Sequence, residues 1–346
     1  MATLAPIRFL IVGLGHIGRR HATLVAAHPA AEVVAICDVL PPRQLAWPEG
    51  VPAAVPLFAA LEDFLAAGLA ADVACICTPN GLHAAQAELL LRAGLHVVVE
   101  KPLALTVAGA DAIIETARAA GRHVFGVMQN RYSPASAWLK EQLEQERLGE
   151  ILQVHLNCFW NRDHRYYTVP PDGRPHPWHG DEALDGGVLF TQFAHFVDLL
   201  CWCFGPVEVA SARFANQQHQ GLHRFADAGT VHYSLAGGAL GTLNFSTAIW
   251  DRNFESTLIV IGSKGTVKLG GQYMNEVRYC HVEGLLPPDL PASSPANNYG
   301  PYAGSAANHH FVIDNVIDVL HGKATVATTA EEGRQVVATI VAMYGV

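Results

Sequence analysis

Ile7-Arg8-Phe9-Leu10-Ile11-Val12, a short β-rich run, passes directly into Gly13-Leu14-Gly15-His16-Ile17-Gly18, and a helical pattern then runs from about His16 to Ala27. Few local patterns constrain a fold so tightly. Strand, glycine turn and helix in this order open a dinucleotide-binding unit. Gly13 permits the tight turn, Gly15 lets backbone approach a pyrophosphate, and Gly18 lets helix and strand pack closely. The phosphates would sit on the helix N-terminus, where free N–H groups point, so His16 and Ile17 join the glycines as candidate cofactor contacts. The next strand, residues 32–38, ends in Asp38, placed to accept hydrogen bonds from an adenine ribose. Its carboxylate would also repel a 2′-phosphate, which favours NAD over NADP even with Arg43 close behind.

The alternation continues. Residues 72–77 form another apolar strand, closed by Thr78-Pro79-Asn80. Asn80 reads equally as the N-cap of a helix to about Ala93 and as a cofactor contact at a strand's carboxyl end. Leu95-His96-Val97-Val98-Val99 then releases Glu100-Lys101-Pro102. Ligands of an open α/β sheet bind outside the carboxyl ends of its strands, so Lys101 points either into a cofactor crevice or to a surface ion pair. Pro102 keeps the lysine backbone out of a helix. A helix over 106–120 and a strand over 122–127 follow. Strands separated by helices of this length imply a parallel sheet, and residues 1–128 read as one dinucleotide-binding domain.

After Met128 the rhythm changes. Gln129-Asn130-Arg131-Tyr132 leads into a helix to about Glu146, and a long strand covers 151–160. The segment 160–182 is polar, aromatic and proline-rich, with Trp160, Arg162, Arg165, Tyr166, Tyr167, Trp178 and His179. A loop of that length is usually functional, although a subunit contact would also explain it. Arginines suit phosphate or carboxylate, and aromatic rings offer faces for a sugar. Asp185-Gly186-Gly187 opens a helix to about Phe204, on which Thr191, His195 and Asp198 share one face, with Gln192 beside them. His195 reads as an acid/base group that Asp198 orients, or as a hydrogen-bonded core residue. Runs near 206–215, 229–235, 239–246, 256–261 and 266–269 alternate like antiparallel strands of one open sheet, a surface suited to a dimer or tetramer. Residues 285–304 read as an exposed excursion. Helices over 305–321 and 330–344 close a second domain, 129–346.

A chain of 346 residues with 50% hydrophobic and 15% charged residues suits a two-domain globular enzyme. Its formal charge of -9, without a basic run, argues against nucleic acid as a partner. The seven cysteines show no metal or redox spacing and sit largely in apolar runs. With no basic leader and no apolar run of spanning length, a cytoplasmic protein without membrane attachment is expected. The 18 histidines are scattered, and the adjacent His309 and His310 face different sides, so no metal site is expected.

With the glycine turn, Thr78-Pro79-Asn80 and His83, Glu100-Lys101-Pro102, Gly186-Gly187, His195 and Asp198 in this order, the chain resembles the Gfo/Idh/MocA oxidoreductase family along essentially its whole length. The resemblance implies an α/β protein. An N-terminal Rossmann domain with a parallel, doubly wound sheet would precede a C-terminal α/β domain with a large, open, mostly antiparallel sheet. It implies a hydride moved between nicotinamide and a secondary hydroxyl carbon of a sugar or cyclitol. Lys101 matches the family's catalytic lysine and His195 its helix histidine. Thr78, Asn80, His83, Glu100, Lys101 and Gln129 would join the glycine turn and Asp38 at the cofactor. Lys101, Arg131, Tyr132, Trp160, Arg162, Arg165, Tyr166, Tyr167, Thr191, Gln192 and His195 would face substrate. One position departs: many relatives carry an aspartate where this chain has Thr191. In that respect, and in Gln129–Tyr132 and the Trp160–Tyr167 pattern, it is similar to the branch that oxidises C3 of UDP-N-acetylglucosaminuronate. An inositol or free-sugar dehydrogenase is the alternative within redox chemistry, and a non-catalytic NAD(H)-binding sensor the alternative outside it. Whether Lys101 or His195 takes the hydroxyl proton stays open.

Overall fold

The computed structural model describes residues 5–169 and 173–346. Residues 1–4, where the leader reading falls in part, and 170–172 of the aromatic segment lie outside them. The chain runs β1 (Ile7–Val12), α1 (His16–Ala27), β2 (Ala31–Cys37), β3 (Leu57–Phe58), α2 (Leu61–Ala66), β4 (Val73–Ile76), α3 (His83–Arg92) and β5 (His96–Val99). α4 (Val107–Ala120), β6 (Val124–Gly126), α5 (Pro134–Glu144), β7 (Ile151–Phe159) and α6 (His164–Tyr167) follow. A short pair, β8 (Thr168–Val169) and β9 (Arg174–Pro175), precedes α7 (Val188–Thr191) and α8 (Ala194–Phe204). Then come β10 (Val207–Ala215), β11 (Ala228–Leu235), β12 (Leu240–Ser246), β13 (Glu255–Gly262), β14 (Gly265–Gly270) and β15 (Glu276–Val282). A second short pair, β16 (Ala296–Asn298) and β17 (Ala303–Ala306), leads to α9 (His309–Leu320) and α10 (Ala330–Tyr344).

Two compact units result: the chain up to Val127 with His309–Val337, and Met128–Asn308 with Ala338–Val346. In the first, six parallel strands stand in the order β3-β2-β1-β4-β5-β6. β4 and most of β1 and β5 are buried, as strands covered on both faces must be. Thr106 caps α4 by accepting from the Gly109 N–H at 3.0 Å, and Gly121 ends it in the left-handed conformation. A single boundary at 128 placed both closing helices in the second domain; the structure corrects this for His309–Val337. α9 lays Val312, Ile313, Val316 and Ile317 into the first unit beside α1, and the Thr328 carbonyl accepts from the Gly126 N–H at 3.0 Å. Local periodicity marks α9 as amphipathic without saying which core it covers.

In the second unit, seven strands form one sheet in the order β10-β11-β12-β7-β13-β14-β15. All neighbours are antiparallel except β12 and β7. Val154, Leu156 and Cys158 of β7 and Leu258 and Val260 of β13 alternate inward. α8, apolar almost all round, is buried from Ala194 to Cys201. Two further expectations change. The helix expected over 185–204 breaks after Thr191 into α7 and α8, so Thr191 does not share one helix face with His195 and Asp198. The excursion expected over 285–304 ends in a pair that buries Asn297 and Ser305.

Candidate functional site

The glycine turn meets the demands of a dinucleotide site. Gly13 has φ +86°, and a Cβ there would lie 2.9 Å from the Cys77 carbonyl oxygen. At Gly18 a Cβ would lie 1.8 Å from the Gly13 carbonyl oxygen, so α1 could not approach β1 with any side chain present. Gly15 is the opposite case. It is exposed, a Cβ would meet nothing within 4 Å, and no side chain caps the helix that begins after it. Open space in front of uncapped N–H groups is what a pyrophosphate needs. His16 is exposed and Ile17 half-buried on the same turn. Asp38, just past β2, accepts from the Leu14 N–H at 2.6 Å and the Leu40 N–H at 2.8 Å, which aims its carboxylate over the turn with lone pairs to spare.

Lys101 emerges half-buried at the carboxyl end of β5, before a cis peptide bond to Pro102. Its neighbours differ from expectation. Glu100, expected at the cofactor, is only 6% exposed and turned inward. One carboxylate oxygen accepts from His21 Nε2 at 2.8 Å and faces His309 Nε2 at 3.4 Å; the other accepts from the Lys101 N–H at 3.2 Å. Burial pushes the Glu100 carboxyl up, but the two imidazoles outweigh it and hold it well below the usual carboxylate range. His83, also expected at the cofactor, is fully buried, with Nδ1 2.7 Å from the Pro102 carbonyl and Nε2 2.9 Å from the Thr78 carbonyl. Its ring braces the two strand ends instead. Thr78 donates its hydroxyl to Gln86 at 2.6 Å, and Asn80 is buried in a single tight turn before α3. The α3 N-cap is Leu82, so Asn80 is not the cap.

In the second unit, His195 and Asp198 are polar residues on a buried helix and need partners. The turn Gln129–Tyr132 supplies them. The Gln129 amide lies 3.1 Å from His195 Nε2, and Arg131 grips Asp198 with two bonds of 2.9 and 2.6 Å. The bidentate partner of Asp198 is Arg131. Gln129, expected at the cofactor, holds the histidine, and Arg131, expected on substrate, is buried in an ion pair. The turn is fixed from behind: Ser305 donates to Asn130 at 2.6 Å, and Asn308 donates to the Gln129 carbonyl at 3.2 Å. Tyr132 is half-buried.

Trp160, Arg162, Tyr166 and Tyr167 of the aromatic segment are core rather than an open sugar platform, whereas Trp178 and His179 are half-buried. Trp160, 2% exposed, donates to Ser256 at 2.8 Å and packs edge-on against Phe193 and Phe196. Arg162 is equally buried. It donates to Gln192 at 2.7 Å, to the Ala303 carbonyl at 3.1 Å and to Asn253 at 3.2 Å, beneath the Tyr302 ring. Gln192 in turn donates to the Tyr166 hydroxyl at 2.9 Å. Tyr166 stacks on His179, and both Tyr166 and Tyr167 are buried. Arg165 keeps partial exposure, paired with Asp163 and Asp251. Thr191 donates to the Asp185 carboxylate, which also accepts from the Gly180 N–H at 2.9 Å. Asp185, His21 and His309 are buried partners of these candidate residues that sequence alone did not nominate; the first was visible only as a helix opener, the others only as polar members of apolar helix faces.

The "oxidoreductase family, NAD-binding Rossmann fold" model matches residues 7–127, and the "GFO/IDH/MocA C-terminal domain" model matches 137–268. A putative UDP-kanosamine synthase oxidoreductase subunit from Amycolatopsis mediterranei is 30% identical over 286 residues, 76% of this chain and 75% of that protein. This chain belongs to the Gfo/Idh/MocA oxidoreductase family. D-glucoside 3-dehydrogenase of Escherichia coli is 27% identical over 70% of this chain and 68% of its own length. The crystal structure of the WlbA dehydrogenase from Bordetella pertussis, in complex with NADH and UDP-GlcNAcA, superposes with a TM-score of 0.84 at 33% identity. That match covers 98% of this chain and 96% of the other. As a Gfo/Idh/MocA member the chain is an NAD-dependent sugar oxidoreductase acting on CH–OH groups, and its glycine turn and Asp38 fit that cofactor. Among the described residues, no helix is long and apolar enough to cross a membrane.

Proposed function

We propose that the protein oxidises C3 of a nucleotide sugar of the UDP-N-acetylglucosaminuronate type, using NAD. The observation that carries this reading is the full-length likeness to a dehydrogenase crystallised with NADH and that nucleotide sugar. The nicotinamide, when bound, supplies the hydride acceptor. Position and proton handling fall to the chain. Lys101, leaving a rigid strand end, places a cation on the substrate hydroxyl oxygen. His195, whose Nε2 lies 3.1 Å from the Gln129 amide, is the second group placed to handle the hydroxyl proton. Thr191 offers a hydroxyl already committed to Asp185 and no carboxylate, which leaves the histidine without an aspartate partner at that position.

One observation favours a second reading. Arg131 and Arg162, the cations best suited to a diphosphate or uronate, are both spent inside the protein. A neutral glucoside, oxidised at the same carbon, needs neither. NAD+ reduction with UDP-N-acetylglucosaminuronate, a methyl glucoside, glucose and myo-inositol, each with and without a 2-oxoacid to recycle NADH, separates these readings. Turnover confined to the nucleotide sugar supports the first, turnover with the glucoside alone the second, and myo-inositol alone overturns both. Whichever sugar is used, Asp38→Ser is expected to narrow the preference for NAD over NADP by roughly tenfold or more, the effect of removing one like charge near a 2′-phosphate. An unchanged ratio of kcat/KM for the two cofactors would show that Asp38 does not read the ribose.

A further inference from the structure

Arg131 and Arg162 are both buried, but only the first meets an opposite charge. The four acceptors around the Arg162 guanidinium are all neutral: the Gln192 side chain at 2.7 Å, Asn253 at 3.2 Å, and the carbonyls of Asn161 and Ala303 at 2.5 and 3.1 Å. Among the described residues no carboxylate pairs with it, and the rings of Trp160, Tyr166 and Tyr302 lie against it. A buried charge without a counter-charge is a source of field that the surrounding fold does not cancel.

That field is passed on in one direction. A guanidinium only donates, so the Gln192 atom facing Arg162 Nε must be the carbonyl oxygen, which leaves the amide nitrogen to face Tyr166. The amide nitrogen also only donates, and the Tyr166 hydroxyl accepts from it at 2.9 Å. The phenol must therefore send its own proton elsewhere, and among the described residues nothing accepts it. Burial and the Asp185 charge hold the phenol well above its ordinary range, so the proton is there to give. Each donor in such a chain polarises the next, and a buried donor is costly until an acceptor reaches it. The ring itself has little to offer a ligand: His179 stacks on it at 4.0 Å, and Arg162, Tyr167 and Tyr302 pack against it. Only the hydroxyl is left. It meets Gln192 at the break between α7 and α8, next to Thr191 and just before the turn that carries His195.

We propose that the Tyr166 hydroxyl is a substrate contact: it donates a hydrogen bond to an oxygen lone pair of the bound sugar, and Arg162 and Gln192 are the positioning residues that aim and strengthen this donor. The inference rests on the chain being a sugar oxidoreductase whose substrate lies against the α7–α8 junction, and it does not depend on which sugar is used. The site demands an acceptor, whether ring ether, hydroxyl or carboxylate. A deoxy carbon at that place would leave the phenol proton unmet, and an ammonium group would also face the uncancelled Arg162 charge.

The test is steady-state kinetics with whichever of UDP-N-acetylglucosaminuronate, a methyl glucoside, glucose and myo-inositol the wild type oxidises, so a sugar other than the one proposed above leaves it intact. Calorimetric binding of the same sugars to the NADH-loaded protein reads the same contrasts without turnover. Tyr166→Phe removes only the hydroxyl; KM is expected to rise about tenfold with kcat little changed, the contribution of one strengthened hydrogen bond. 3-Fluorotyrosine placed at Tyr166 is a stronger acid and should lower KM. Gln192→Glu separates the relay from packing. A carboxylate there only accepts, so it would take hydrogen bonds from both Arg162 and Tyr166, giving the cation a counter-charge and turning the phenol proton inward. KM should then rise as in Tyr166→Phe while the unfolding temperature holds or increases. An unmoved KM in folded Tyr166→Phe overturns the proposal, as does a KM raised by fluorination, which would make the hydroxyl an acceptor. So does Gln192→Glu with unchanged KM and a lower unfolding temperature, the mark of a glutamine that only packs.

Discussion

Lys101→Ala is expected to lower kcat by about 10²–10⁴-fold, the range for removing a group that handles charge or proton at the reacting oxygen. NADH affinity, measured by fluorescence, should change only a few-fold. The proposed dinucleotide site rests chiefly on the turn of Gly13, Gly15 and Gly18 and on Asp38. The lysine contributes little to stability, being half-buried at a strand end, so thermal unfolding should stay near wild type. Lys101→Arg sharpens the test. It keeps the positive charge but replaces a compact ammonium with a planar fork on a longer stem, and a site built for a point charge should lose most of its rate. If the arginine variant keeps near-full activity, charge alone suffices and the position of the nitrogen does not matter. If alanine keeps activity, the strand-end lysine is a surface residue and the proposed mechanism fails at its first step.

The first unit was legible because its signals are local. β1, the glycine turn and α1 occupy the consecutive residues 7–27, and Gly13 and Gly18 each have a sterically dictated role. The strand ends that carry Asp38 and Lys101 follow from apolar runs bounded by turn residues. What periodicity cannot show is which distant face a buried polar residue meets. His21 lies on the buried face of α1 with Gly18, Ala22 and Val25, and His309 begins the buried face of α9 with Val312 and Ile313. Each looks like one polar interruption in an apolar stripe, and only the return of α9 to the first unit makes them a pair. The second unit misled for a related reason. Arg131, Arg162, Trp160 and Tyr166 have the composition of an anion and sugar site, but composition does not distinguish a charge facing a ligand from one facing an internal partner. Asp198 was visible three residues after His195, and helix spacing suggested a histidine–carboxylate pair. The buried turn at Gln129–Tyr132 supplied a stronger partner for each.

That turn yields the largest stability effect. Arg131→Ala leaves the Asp198 carboxylate buried without its bidentate partner, a loss of about 3–5 kcal/mol. In a protein of this size the unfolding temperature should fall by roughly 5 °C. Arg131→Lys can make one contact but not the fork, and it also gives up the guanidinium face lying 5.3 Å from the Trp202 ring, so it should fall between. Arg131→Met combined with Asp198→Leu removes both charges and should be more stable than Arg131→Ala alone, because most of the single-variant loss is the stranded carboxylate. Activity separates this account from the one in which Arg131 binds the sugar's anionic group. A substrate-binding arginine, once removed, raises KM for a charged sugar and leaves unfolding unchanged. A clamp that holds the turn bearing Gln129 against α8 lowers kcat through the His195 that Gln129 steadies, moves KM little, and lowers the unfolding temperature in parallel. Recovery of kcat in the Met/Leu double variant would identify the clamp as a packing device. Persistent loss would show that the fork itself sets the register between Gln129 and His195.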